Sequence, residues 1–174
     1  SLMTARRELS TRFRPGFAEL YERISLLGSE IQLEYRPSWK NGEDIPTVLA
    51  ALRDKRAEEL AMKTSLSGPH RDRWVFTVDQ RDFAATASTG QLRLLSLVLR
   101  TAQATFFEEE QQRNPILLLD DVLLELDPGK RRRFLETLPE KAQSIFTFLP
   151  GEPWEEYRGD DTKVYRVHDG RFTN

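Results

Sequence analysis

The sequence predicts an α/β fold: a sheet with a buried parallel core, flanked by helices, preceded by a helix-rich portion. Three observations carry this. The run from Gly90 to Gln112 has no further Gly or Pro and sets Leu92, Leu95, Leu99, Ala102 and Phe106 along one face, the period of a long amphipathic helix. Ile116, Leu117, Leu118 and Leu119 then follow Asn114-Pro115 as a continuous apolar run. Such a run suits a strand buried on both faces, as in a parallel sheet covered by helices. Helix-period and strand-period segments also alternate along the chain on both sides of this pair.

In chain order, Leu9, Phe13, Phe17, Leu20, Tyr21, Ile24 and Leu27 recur at helical spacing between Thr4 and Leu27, interrupted by Pro15-Gly16, which predicts one or two helices. Ile31, Leu33 and Tyr35 alternate with polar residues, the pattern of a half-buried strand, before a loop from Pro37 to Gly42. A helix opens near Pro46, presents Val48, Leu49, Leu52, Ala57 and Leu60, and ends around Lys63. Beyond Gly68-Pro69, the stretch from Trp74 to Val78 reads as a strand and Phe83 as part of a second extended stretch. Pro128 starts another helix, Lys130 to Leu138; a strand follows around Ser144 to Leu149, then a hairpin from Lys163 to Phe172 turning at Asp169-Gly170.

Composition narrows the function classes. The 174 residues allow one sizeable domain, or a domain with an appended helical lobe, and 39% hydrophobic content argues against a disordered chain. With no cysteine and only two histidines, a disulfide framework and a thiolate metal site are excluded, and a His-based zinc site is disfavoured. No apolar run approaches the roughly 20 residues that span a bilayer, so no membrane contact is expected, and the absence of cysteine fits a reducing cytoplasm. A formal net charge of -2 is not the footprint of an autonomous nucleic-acid binder, so any DNA contact is local or shared.

The candidate chemistry sits at the end of the apolar run. Asp120 and Asp121 are adjacent carboxylates at the C-terminal tip of a central strand, costly to desolvate unless a cation or proton uses them. A Walker B strand holds Mg²⁺ and positions a water in this way. Upstream, Ala87-Ser88-Thr89-Gly90-Gln91 is a small-residue turn just before the long helix, where backbone N–H groups and a hydroxyl suit a phosphate; an ordinary N-cap is the alternative. Asp127, just ahead of the Pro128 helix, is equally a candidate cap.

In this order and spacing the motifs match the C-terminal half of an ABC-type ATPase: signature turn, helix, Walker B strand, second acid, D-loop. Together with Gly68-Pro69-His70-Arg71-Asp72 and Pro115-Ile116-Leu117-Leu118-Leu119-Asp120-Asp121-Val122, the chain resembles the RecF family of bacterial DNA-repair ATPases of the ABC/SMC type, most clearly from Ser67 to Leu149. The resemblance implies a partial ABC/SMC-type ATPase head, a P-loop NTPase-like sheet flanked by helices, with residues 1–63 in a helix-rich second lobe and 64–174 in the C-terminal portion of the ATPase lobe. It implies that Ser88, Gly90 and Gln91 contact the γ-phosphate of an ATP held by the opposite subunit, and that Asp120 binds Mg²⁺ through water. Asp121 would stand where most ABC ATPases place the Glu that polarises the attacking water, and Asp127 would be the D-loop acid. Further implications are an ATP-dependent homodimer on DNA at single/double-strand junctions, and partners RecR and RecO in loading RecA.

Departures from the pattern accompany the match. Leu124 stands where the D-loop usually has Ser, Leu92 replaces a second Gln, Arg73 replaces an Asp, and Thr147 is the only polar residue of Ile145-Phe146-Thr147-Phe148, where a switch His is expected. His70 and Arg71 either contact nucleotide or DNA or buttress the sheet through Asp72. Lys130, Arg131, Arg132 and Arg133 form either a solvated basic face or a DNA-phosphate contact. No Gly-x-x-x-x-Gly-Lys-Ser/Thr occurs, so ATP and Mg²⁺ require a phosphate loop from an N-terminal portion, and this chain alone is expected to be inactive. The alternatives are another SMC- or ABC-like ATPase, and a non-catalytic DNA- or protein-interaction module on a degenerate ATPase fold.

Overall fold

The computed structural model describes residues 1–39, 44–123, 126–139 and 142–173. Its first element, α1 (Leu2–Ser25), starts ahead of the expected Thr4, capped by Ser1, and buries Met3. It runs through Pro15-Gly16 as one helix. An internal Pro costs about 3 kcal/mol, but Phe17, Tyr21 and Ile24 are each buried here, at about 1.5–3 kcal/mol per large apolar side chain. Leu26, in the left-handed region at φ 51°, ends the helix, and its N–H donates to the Glu22 carbonyl at 2.9 Å.

The expected strand forms β1 (Ile31–Arg36), with Ile31 and Leu33 buried. It pairs antiparallel with β2 (Arg73–Val78), from Ile31 opposite Val78 to Arg36 opposite Arg73. β1 therefore pairs across residue 63, and one buried cluster draws on residues from both sides of it. Asp79 and Gln80, both at positive φ, turn β2 into the two-residue β3 (Arg81–Asp82). Phe83 is not in an extended stretch, as the sequence suggested. The Asp82 carboxylate accepts from Ala84 N–H at 2.9 Å and starts the helical turn α3 (Phe83–Thr86), with Phe83 buried edge-on to Tyr21. Between β1 and β2, α2 (Ile45–Met62) has Pro46 in its first turn and a left-handed Lys63 as its end, close to expectation, yet buries none of its residues. Its apolar positions Leu49 and Leu60 stay exposed. The loop to Gly42 lies partly outside the described residues.

The long helix is α4 (Thr89–Gln111), packed on α1. Its most buried positions are Leu94 and Val98, so the apolar stripe is centred beside the Leu92–Leu99 line read from the sequence. Phe106 meets Phe13 edge to face at 5.7 Å. β4 (Ile116–Asp120) and β5 (Gln143–Thr147) then pair in parallel, with Asp120 opposite Thr147. β5 ends before the expected Leu149. The apolar run of β4 is covered on one face only, contrary to the sequence reading: Leu119 is 8% exposed, but Ile116 and Leu118 are 63% and 74% exposed. The described residues supply a single packed layer, so the face carrying Ile116, Leu118 and Ile145 is open.

Between these strands, α5 (Pro128–Leu135) buries Phe134 completely; it stops short of Leu138, and Thr137 and Leu138 donate to the Phe134 and Leu135 carbonyls in turns. A 3₁₀ turn at Trp154–Tyr157, not foreseen, stacks Tyr157 on Phe148 at 5.7 Å. The terminal hairpin, β6 (Arg166–His168) and β7 (Arg171–Thr173), turns at Asp169-Gly170 as expected, with strands shorter than the 163–172 span.

One polar knot ties the first elements together. The Asp72 side chain is fully buried; Arg6 Nη1 and the Tyr35 hydroxyl each donate to its Oδ2 at 2.6 Å, and Ser38 N–H donates to Oδ1 at 2.9 Å. Burial pushes this carboxyl up, but the Ser38, Tyr35 and Arg6 donors outweigh burial and hold it below its ordinary value of 3.8. Its contribution to stability is therefore complete above the unfolded-state value and is lost as pH falls through the lower folded value. Chemical denaturation from pH 7 down to pH 3 is expected to show a loss that the Asp72→Asn variant, already weaker at neutral pH, lacks in part. The open β4–β5 face gives a second expectation: the chain self-associates with rising concentration in light scattering, and Leu118→Lys suppresses this.

Candidate functional site

Ser88 is the N-cap of α4. Its Oγ accepts from Gln91 N–H at 3.2 Å, and Gln91 Oε1 accepts from Ser88 N–H at 2.8 Å, a reciprocal capping box. The two side chains suggested for phosphate contact thus also satisfy the helix end within the chain. Gly90, between them, is different. A Cβ built there meets nothing within 4 Å among the described residues, so no packing there demands glycine. Across the same opening lies Asp127, the N-cap of α5, whose Oδ1 accepts from Lys130 N–H at 3.0 Å and whose Oδ2 is 2.8 Å from Lys130 Nζ. Lys130 holds the Asp127 carboxyl below its usual range. The structure therefore brings Ser88, Gly90 and Gln91 together with Asp127 and Lys130 around one open pocket of about 190 Å³.

The sequence reading did not include Tyr21 among the residues of that pocket. Tyr21 lines it while only 1% exposed, and its hydroxyl has no hydrogen-bond partner among the described residues. Burial, with Glu22 adding to it, pushes its pKa up to about 12, so the hydroxyl keeps its proton and remains a donor at neutral pH. Its helical spacing marked it as core, and no local sequence signal sets it apart from Phe17.

Asp120 and Asp121 do not line this pocket; both are exposed at the tip of β4. The Thr147 hydroxyl donates to Asp120 Oδ1 at 2.5 Å and accepts from Asp121 N–H at 3.3 Å. Asp121 itself adopts the left-handed region at φ 53°. Among the described residues no three His, Asp or Glu side chains form a metal cage. Asp120, exposed and with Oδ2 unbonded among those residues, could instead hold a hydrated magnesium ion through water.

The remaining candidates have structural partners. Arg71 donates to the Ser65 carbonyl and Thr64 Oγ1, closing its own loop, and exposed His70 packs beside Gly68. Neither reaches Asp72, contrary to the buttressing suggested from sequence; Arg6, 66 positions away, does so. In the basic run, Arg131 donates to the Tyr157 hydroxyl and the Leu126 carbonyl, and Arg133 Nε to the Ile24 carbonyl at the end of α1. Leu124 lies outside the described residues. No described helix is long and apolar enough to cross a membrane.

These contacts separate stability from function. Ser88→Ala is expected to lower stability by about 1 kcal/mol through loss of the cap. Gly90→Ala should leave the melting temperature unchanged or raise it slightly, because helical Ala is favoured over Gly and the space is empty. Thermal melts of the two variants check both.

No family model matches the chain. The DNA replication and repair protein RecF of Treponema pallidum is 45% identical over 169 residues, covering 97% of this chain and 47% of that protein. RecF of Heliobacterium modesticaldum is 35% identical, over 78% of this chain and 37% of its own length. The chain thus spans less than half the length of these relatives. A solved structure of the recombination mediator protein RecF-ATP in the RecFOR pathway shares the fold, with a TM-score of 0.73 at 22% identity, over 98% of this chain and 45% of that one. By sequence and by fold, the chain belongs with the RecF family and corresponds to the C-terminal portion of its members.

Proposed function

We propose that this chain is the ATP-sensing C-terminal part of a RecF-type DNA-repair ATPase, whose activity arises in an ATP-dependent homodimer. The observation that carries the reading is the pocket: the Ser88–Gln91 helix start and the Asp127 cap face one opening, and Gly90 leaves it clear. A phosphate entering from a second subunit meets free first-turn N–H groups and the positive end of a 23-residue helix. Ser88 and Gln91 exchange their mutual hydrogen bonds for bonds to the γ-phosphate, and Gly90 lets the nucleotide approach the backbone. Asp127, in the D-loop position, links this pocket through the β4–α5 connection to the carboxylates at the tip of β4.

At that tip, Asp120 would hold Mg²⁺ through water and Asp121 would orient the attacking water; the ion would supply the charge neutralisation on the phosphates that phosphoryl transfer chiefly requires. Asp121 is one methylene shorter than the Glu usual at this position, and hydrolysis would reset the dimer. The β-phosphate cradle belongs to the N-terminal portion of the longer relatives, and the open β4–β5 face is the surface that portion would cover. The division into a helix-rich lobe, 1–63, and an ATPase-lobe portion, 64–174, is part of this reading. So are DNA at single/double-strand junctions, the partners RecR and RecO, assistance to RecA loading, and the cytoplasm as its place. His70, Arg71, Lys130 and Arg131 act in it first as structural residues, with any DNA contact shared with the rest of the protein.

The test uses the full-length protein. ATP is expected to drive dimerisation and to tighten binding to gapped DNA, and Asp121→Asn to preserve ATP-dependent dimers while slowing hydrolysis by about 10²-fold or more. Dimerisation and DNA binding that ignore ATP would overturn the reading. Isothermal titration of the 174-residue chain alone should detect no tight ATP binding.

A further inference from the structure

The residue at the end of β5 does more than close a strand. Thr147 is aligned with Asp120 in the parallel register and lies on the open face of the sheet, beside exposed apolar Ile145. Its single hydroxyl makes two bonds at the catalytic tip: it donates to Asp120 Oδ1 at 2.5 Å, a length typical of a hydroxyl on a charged carboxylate, and accepts from Asp121 N–H at 3.3 Å. The first bond fixes the rotation of the Asp120 carboxylate and occupies one oxygen, leaving Oδ2 as the oxygen available to a cation or its water. The second holds the backbone where it leaves the strand and Asp121 turns left-handed, a conformation a non-glycine residue keeps only when its surroundings enforce it.

We propose that Thr147 is the positioning residue of this site: by bridging the Asp120 carboxylate and the Asp121 amide, its hydroxyl sets the orientation of both carboxylates toward a divalent cation and the attacking water. The inference rests on the reading that Asp120 is the Mg²⁺-side carboxylate, and adds the residue that aims it. A hydroxyl is the group required because it donates to one partner and accepts from the other at once. Valine, of the same shape, keeps the strand and loses both bonds. Serine keeps both.

The experiment compares unmutated, Thr147→Val and Thr147→Ser full-length proteins at fixed ATP, titrating Mg²⁺ and following dimerisation by sedimentation velocity, with nucleotide binding in EDTA and melting temperature measured alongside. The Thr147→Val protein should need about 10–100-fold more Mg²⁺ for half-maximal dimerisation, the loss seen when a hydrogen bond to a metal-side ligand is removed. Its nucleotide affinity in EDTA should be unchanged, and Thr147→Ser should follow the unmutated curve. Coincident curves for Thr147→Val and the unmutated protein would overturn the proposal, and so would a serine variant shifted as far as valine. Should valine depress the melting temperature, Thr147→Ala replaces it, with the same expectation. An unmutated protein that fails to dimerise with Mg²⁺ and ATP removes the parent reading instead, and this proposal with it.

Discussion

The packing of α1 on α4 is the constraint on which the rest depends. Phe17, Tyr21 and Ile24 are nearly or fully buried, and they belong to one cluster with Leu94 and Val98 of α4 and Phe134 of α5. Without that shared stripe nothing would fix the start of α4 against the start of α5, because the two helices are joined only through β4 and the segment beyond it. Arg133 reinforces the arrangement from the other side by donating to the Ile24 carbonyl, one of the acceptors left over at the end of α1. Two helix N-termini with their capping carboxylate and hydroxyl thus come to face each other across a pocket.

The sheet follows a different logic. β1 and β2 are antiparallel with one face on the core, the usual arrangement for alternating strands, and the Asp72 knot holds their open end to α1. β4 and β5 are parallel and carry apolar side chains on both faces, yet only one face is covered. The two sheets therefore ask different things of their surroundings. One covers the inner apolar face of its strands within the described residues, and the other presents an apolar face that nothing described covers.

Much of this was legible in the residues because local rules decided it. The capped start of α4, the strand ending in Asp120, the Asp169-Gly170 turn and the Pro46 helix start each depend on a few neighbouring side chains, and each appears within a residue or two of expectation. What was not legible depended on partners distant in sequence. Phe83 looked extended until the Asp82 cap and the Tyr21 ring drew it into a helical turn. Arg6 gave no sign that it would neutralise Asp72. Tyr21 carried the same periodic signal as any core aromatic, and Thr147 read as a substitute for an absent histidine before its two hydrogen bonds were in view. Burial on one face or two is likewise not written in an apolar run, since it depends on how many layers surround it.

The capping box at Ser88 and Gln91 has a consequence for motion. A helix end closed by its own side chains is ordered before any anion arrives, and a phosphate that takes over those donors competes with two existing hydrogen bonds. The free energy of capture is then reduced by the cost of opening the cap, while without an anion Ser88 and Gln91 stay satisfied by each other. Were a phosphate to bind there, the first turn of α4 would be a local two-state element, closed on itself or opened onto the ligand.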